Sequence, residues 1–254
     1  MFFQYIAYNK RKMFTPNLTP EEFEAFLEKN HLFQDNKWTK GLDYTTAWNT
    51  CPNPHFLLAL APLNLIESTQ ISCHWARLVL HLANAGETKP RLAVEAAEFF
   101  LRGEITEKEC QRAADEALDI TASDKITGNI AYCAAHAAMQ AITPYENYLY
   151  RISMSGAKAY GTFMVYKNND FIEPIAHEAS ATTSREHYNR FLNNRTEYDD
   201  YGIVRSNWME IADEASEGAK MLVYDKYESA YYLEMLKAQA GILRLYVEQP
   251  ALKI

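Results

Sequence analysis

Residues 68–86 read STQISCHWARLVLHLANAG, and their pattern decides the fold class. Ile71, Trp75, Leu78 and Leu82 recur at steps of four, three and four, the spacing that keeps side chains on one face of a helix. Ser68 or Thr69 is the expected cap at its start, and Gly86 stands where such a helix ends. Helix signals continue on both sides. Upstream, Thr19-Pro20-Glu21-Glu22 combines a capping threonine, a proline suited to the first helical position and a capping-box glutamate. Phe23, Phe26 and Leu27 then share one face. A short helix is expected from Asp43 to Thr50, and Pro54 opens the apolar run His55 to Ala61.

Downstream, Thr88 is expected to cap a helix from Lys89 to Arg102, which Gly103 closes. Thr106 and Glu109 form a second capping box, followed by the small-residue stripe Cys110, Ala113, Ala114, Ala117 and Leu118. The Ala-rich segment Ile130 to Ile142 is small or apolar on nearly every side, as a buried helix is. Residues 145–166 read as helix, with a strand alternative at 161–166, where Thr162, Phe163, Val165 and Tyr166 favour β-structure. Loop signals at Asn168-Asn169-Asp170, Pro174 and Asn193-Asn194 confine residues 167–204 to one short helix near Ser184 to Leu192. Two helices, about 206–224 and 226–248, finish the chain before Pro250.

The expected fold is all-α, an antiparallel helical bundle or a stacked helix-hairpin array, with minor β-structure left open in 145–205. Residues 1–18 form an N-terminal tail and 19–143 an Ala-rich helical domain. Residues 144–254 are a Tyr-rich helical region, either continuous with that domain or a second unit.

The 254 residues are 48% hydrophobic and 23% charged, which excludes a disordered or low-complexity chain. Lys and Arg number 25 against 33 Asp and Glu, a net charge of −8. That balance gives no general pull toward nucleic acid or anionic membranes, and it suits a basic partner. The most apolar stretch, His55 to Leu65, is too short to span a membrane and is broken by Pro62. The start is apolar first and basic second, the reverse of a secretory signal, so the default location is the cytoplasm. Those first dozen residues read equally as a short strand, a docking tail or a stretch upstream of a start at Met13.

No motif announces catalysis. His74 and His81 lie two turns apart beside Cys73, and Cys133 and His136 are three apart, but zinc needs three or four converging ligands. Ser153-Met154-Ser155-Gly156 lacks the leading glycine of a nucleophile elbow, and no Gly-rich phosphate loop exists. Neither catalytic residues nor a metal or other cofactor are expected. The four cysteines, Cys51, Cys73, Cys110 and Cys133, read as small buried hydrophobes. Acidic clusters are the stronger candidates. Asp199 and Asp200 lie near Glu197, while Glu210, Asp213, Glu214 and Glu217 fall on one helical face. Such a row is either a solvated face or an electronegative surface that docks a protein. Seventeen tyrosines, concentrated in the C-terminal half, suit either a helical core or an interface.

Residues 46–141 carry a further pattern: Ala47-Trp48-Asn49-Thr50-Cys51, the run Phe56 to Ala61, Cys73-His74-Trp75-Ala76-Arg77, Arg91, Ala93 to Glu98 and Gly103-Glu104-Ile105-Thr106. This stretch resembles the all-helical fifth family of immunity proteins from bacterial polymorphic-toxin systems, whose relatives include phage-derived chains. The resemblance implies a non-enzymatic inhibitor that neutralises a toxin by stoichiometric complex formation, or a phage-encoded inhibitor of a host defence protein. It also implies a structural core around Trp48, Trp75, Arg77 and Arg91, with Arg77 and Arg91 pairing with Glu95 or Glu98. A third alternative, from the residues alone, is a helical enzyme or small-molecule binder in which His74 or His136 meets carboxylates in a closed pocket.

Overall fold

The computed structural model describes residues 17–30, 38–61, 63–143, 145–193 and 202–247. The chain is all-α. Helices α1 (Pro20–Lys29), α2 (Tyr44–Thr50), α3 (Pro54–Leu60), α4 (Leu65–Leu80), α5 (Lys89–Leu101), α6 (Glu107–Leu118) and α7 (Lys125–Ile142) lead into three longer ones. These are α8 (Glu146–Lys167), α9 (Asn169–Asn193) and α10 (Gly202–Tyr246).

Local chemistry sets most of the boundaries. Thr19 with Glu22 and Thr106 with Glu109 close reciprocal capping boxes at α1 and α6. Thr88 stands at the cap position of α5 without a side-chain capping bond. At the end of α5, Gly103 takes φ +73°, its N–H bonds the Phe100 carbonyl, and the Glu104 N–H bonds that of Phe99. That paired closure is the Schellman arrangement, and the left-handed φ is why glycine stands there. Helix α4 begins a turn earlier than its stripe implies, because Asn64 and Glu67 make the capping box. The Ser68 and Thr69 hydroxyls instead bond back to the Leu65 carbonyl, inside the helix. Its other end is also shorter: α4 stops at Leu80, capped by His81, and Gly86 serves the following turn at φ +91°.

Alanine-rich α7 is the central element, packed by α4, α5, α6 and α8. Small side chains let these helices approach closely, and a run from Ile130 to Ala138 is almost entirely buried. One hydrophobic cluster reaches from Leu18 to Leu243 and takes in Leu149, Ile152 and Ala157 of α8, so both sides of Thr143 share it. Trp75 sits fully buried in that cluster and donates its indole N–H to the Gln239 carbonyl of α10 at 3.0 Å. Arg244 reaches from α10 to the C-terminal end of α2, donating to the Trp48 carbonyl at 2.7 Å and to that of Cys51. A cation at a helix C-terminus satisfies carbonyls that have no partner within the helix.

Among the described residues there is no strand, and 161–166 belong to α8. Tertiary packing overrides the β-prone composition there. A β-carbon on Gly161 would lie 3.1 Å from the Glu228 carbonyl oxygen, so glycine marks the close crossing of α8 and α10. The loop signals of 167–174 are also absorbed into helix. Asn168 alone separates α8 from α9, and Pro174 falls in the second turn of α9. The two expected C-terminal helices are one, α10, whose 45 residues span about 67 Å.

Candidate functional site

Helices α9 and α10 form a two-helix arm. Their packing against each other is the most extensive between any two helices, whereas α9 barely touches α8. Beyond Ala176 on α9 and before Met235 on α10, no residue with a described side chain is buried. The half-buried positions of α10 recur in pairs every four residues, from Ala215-Ser216 through Val223-Tyr224 to Tyr231-Tyr232. A four-residue step exceeds the helical turn by about 40°, so the seam winds around α10, facing α9 first and α8 later. Its chemistry is small and polar. The Ser180 and Ser216 hydroxyls hydrogen-bond each other, Tyr224 donates to the Asn169 side chain at 3.2 Å, and Phe171 packs edge-on against Tyr227.

The outer surface of the arm carries the acidic candidates. Asp213, Glu214 and Glu217 are exposed on α10, and Glu210 lies on the same helix with its side chain outside the described atoms. Asp199 and Asp200 lie outside the described residues. One row runs Asp213, Glu217, Met221, and its neighbour runs Glu214, Gly218, Leu222, each at i, i+4. Met221 is 62% and Leu222 69% exposed, so two solvated apolar side chains interrupt the rows before the exposed Asp225 and Lys226. Residues 169–230 hold 13 acidic and 6 basic side chains, a net −7 of the chain's −8. The remaining residues are close to neutral. Within that span the described residues of the arm, 169–193 and 202–230, hold 10 acidic and 5 basic side chains, a net −5.

The other candidates sit in the body. Trp48 is 3% and Trp75 0% exposed. Arg77 of α4 makes a two-pronged contact with Glu98 of α5, at 2.8 and 2.7 Å, and ties two helices together. Arg91 corrects the expectation of a core role. Its side chain lies 60% exposed, 3.6 Å from Glu95 of the same helix, one of its two expected partners, and it joins no other acid among the described residues. An i, i+4 partner within α5 leaves it no neighbouring helix to bridge.

His74 bonds to its own helix at the Gln70 carbonyl and meets the Tyr246 hydroxyl at 2.9 Å. His136 is held by the Tyr132 carbonyl at 2.8 Å, with Arg151 at 3.5 Å from its other ring nitrogen. Burial, with that guanidinium alongside, pushes its pKa down and keeps the ring neutral at neutral pH. Among the described residues, no group of three or more His, Cys, Asp or Glu side chains is placed to hold a metal ion. All four cysteines are buried free thiols. Burial pushes the pKa of Cys73 up to about 12 and that of Cys110 up to about 11, so the nucleophilic thiolate is disfavoured at both. No helix among the described residues is long and apolar enough to cross a membrane.

No family model matches the chain, and neither the curated proteins nor the solved structures contain a match.

Proposed function

We propose that this chain is a non-enzymatic, protein-binding inhibitor of the immunity or antitoxin kind, which acts in the cytoplasm by forming a stoichiometric complex with a basic partner protein through its acidic arm. The observation that carries this is the concentration of net charge −7 on residues 169–230, with Asp213, Glu214 and Glu217 exposed in rows that Met221 and Leu222 continue as exposed apolar side chains. A charged surface with apolar side chains among its charges combines fast, steered encounter with area to bury on contact. A thin arm also presents two flanks, so a partner can grip it along its length. The buried, high-pKa thiols and the neutral His136 favour binding over catalysis.

The test is an affinity pull-down from native-host lysate at low and then high salt, with mass spectrometry of the eluate. One basic protein retained in equal molar amount and released as salt rises supports the proposal, provided that Asp213→Lys with Glu214→Lys and Glu217→Lys abolishes its capture. Retention that ignores both salt and charge reversal rejects it.

A further inference from the structure

A cleft of about 690 Å³ opens on the body between α3, the start of α4, the end of α7 and the start of α8, and no described residue of α9 or α10 lines it. Its walls are aliphatic, with Leu58, Ala59 and Leu149 among them, and its aromatic side is His55 of α3 against Tyr150 of α8, ring centroids 4.4 Å apart. Two polar side chains meet in its lining. Gln140, 2% exposed, donates to the Ser68 hydroxyl at 3.1 Å and accepts the Tyr145 N–H at 3.3 Å. No Asp, Glu, Lys or Arg lines the cleft among the described residues. His55 brings no charge either. Its Nε2 is shielded from water without a hydrogen-bond partner, and burial pushes its pKa down to about 4.

This combination is that of a small-molecule site: a concave, mainly apolar volume within the usual range, with a few polar groups to orient what enters. The missing charges decide the chemical class. Among the described lining residues, an anion would lose its hydration and find no cation, and a cation would find no carboxylate. A neutral molecule loses little and gains the aliphatic walls. A hydroxyl or amide on it can use the free lone pair and the second N–H of Gln140.

We propose that the cleft between α3 and α8 binds an uncharged, mainly apolar small molecule carrying one hydroxyl-, amine- or amide-like group, with Gln140 and Ser68 orienting it and the His55–Tyr150 ring pair forming its aromatic wall. The site is independent of the arm, so it stands or falls apart from the proposed protein inhibition.

Two dyes of nearly the same shape test it on the full chain. N-phenyl-1-naphthylamine is neutral, and 1-anilinonaphthalene-8-sulfonate adds a negative charge to the same rings. Fluorescence titration with the neutral dye is expected to saturate at one molecule per chain, and the sulfonate is expected to bind at least about tenfold more weakly. Ala59→Trp fills the cleft from an exposed helix position, so the fold is retained, as circular dichroism will check, while neutral-dye binding falls at least about tenfold. Unsaturable binding, equal affinity for both dyes, or dye binding unaffected by Ala59→Trp in a folded protein would each overturn the proposal.

Discussion

Trp75 shows how one side chain joins distant parts of the chain. Its ring is fully buried, and its N–H satisfies the Gln239 carbonyl 164 residues away. Trp75→Phe keeps much of the apolar area and removes one buried hydrogen bond, while the carbonyl keeps its partner within α10, so chemical denaturation is expected to show a loss of about 0.5–1.5 kcal/mol. Arg77 and Arg91 make a contrasting pair. The Arg77–Glu98 contact spans two helices, yet both side chains are partly exposed, so Arg77→Ala is expected to cost at most about 1 kcal/mol and Arg91→Ala nothing measurable. His55 adds a pH dependence. Its folded pKa, about 4, lies below the ordinary value of 6.5, so between these values the unfolded chain binds the extra proton. Stability is therefore full above pH 6.5 and falls as pH drops toward 4, by at most about 3 kcal/mol from this group. Urea melts at pH 7 and 4.5 check it. His55→Phe should shrink the difference without removing it, since His136 shifts in the same direction.

At the scale of elements, what the sequence showed depended on how local the signal is. The capping boxes at Thr19 and Thr106, the opening proline of α3 and the glycine after α5 are contacts within a few residues, and each reads directly from the chain. The stripe of α4 was legible for the same reason, although Asn64 rather than Ser68 or Thr69 caps it. Helices α9 and α10 were not legible as a pair. Their seam is built from Ser, Ala, Thr and Tyr, winds at a four-residue step, and so leaves no apolar stripe at the helical period. Pro174 and the asparagines around 168 looked like breaks because the packing that tolerates them is not local. Two measurements belong here. Gly161→Val pushes a side chain against the Glu228 backbone and should lower stability by about 1–3 kcal/mol in a thermal or urea melt. Hydrogen exchange should find the amides of 179–187 and 213–227 exchanging about 100-fold or more faster than those of α7, because the arm lacks buried side chains.

At the scale of the molecule, an almost neutral body carries a thin acidic arm. The candidate acids Glu210, Asp213, Glu214 and Glu217 were visible as a helical row, but a row alone does not separate a solvated face from a docking surface. Two facts change its weight: the described part of the arm has little stabilising core of its own, and its residues up to 230 hold a net −5 of the −8 charges. The second could have been read from a running charge count. The first needed the fold, because only packing shows which half of α10 is left outside the body. The most direct test is calorimetric titration of the captured partner with wild-type protein and with the Asp213→Lys, Glu214→Lys, Glu217→Lys variant, each at about 50 and about 300 mM salt. The expected result is a 1:1 wild-type complex that weakens roughly tenfold or more with salt, and a variant that binds far more weakly at low salt. Equal affinities for the two proteins, indifferent to salt, would contradict an acidic arm as the binding surface.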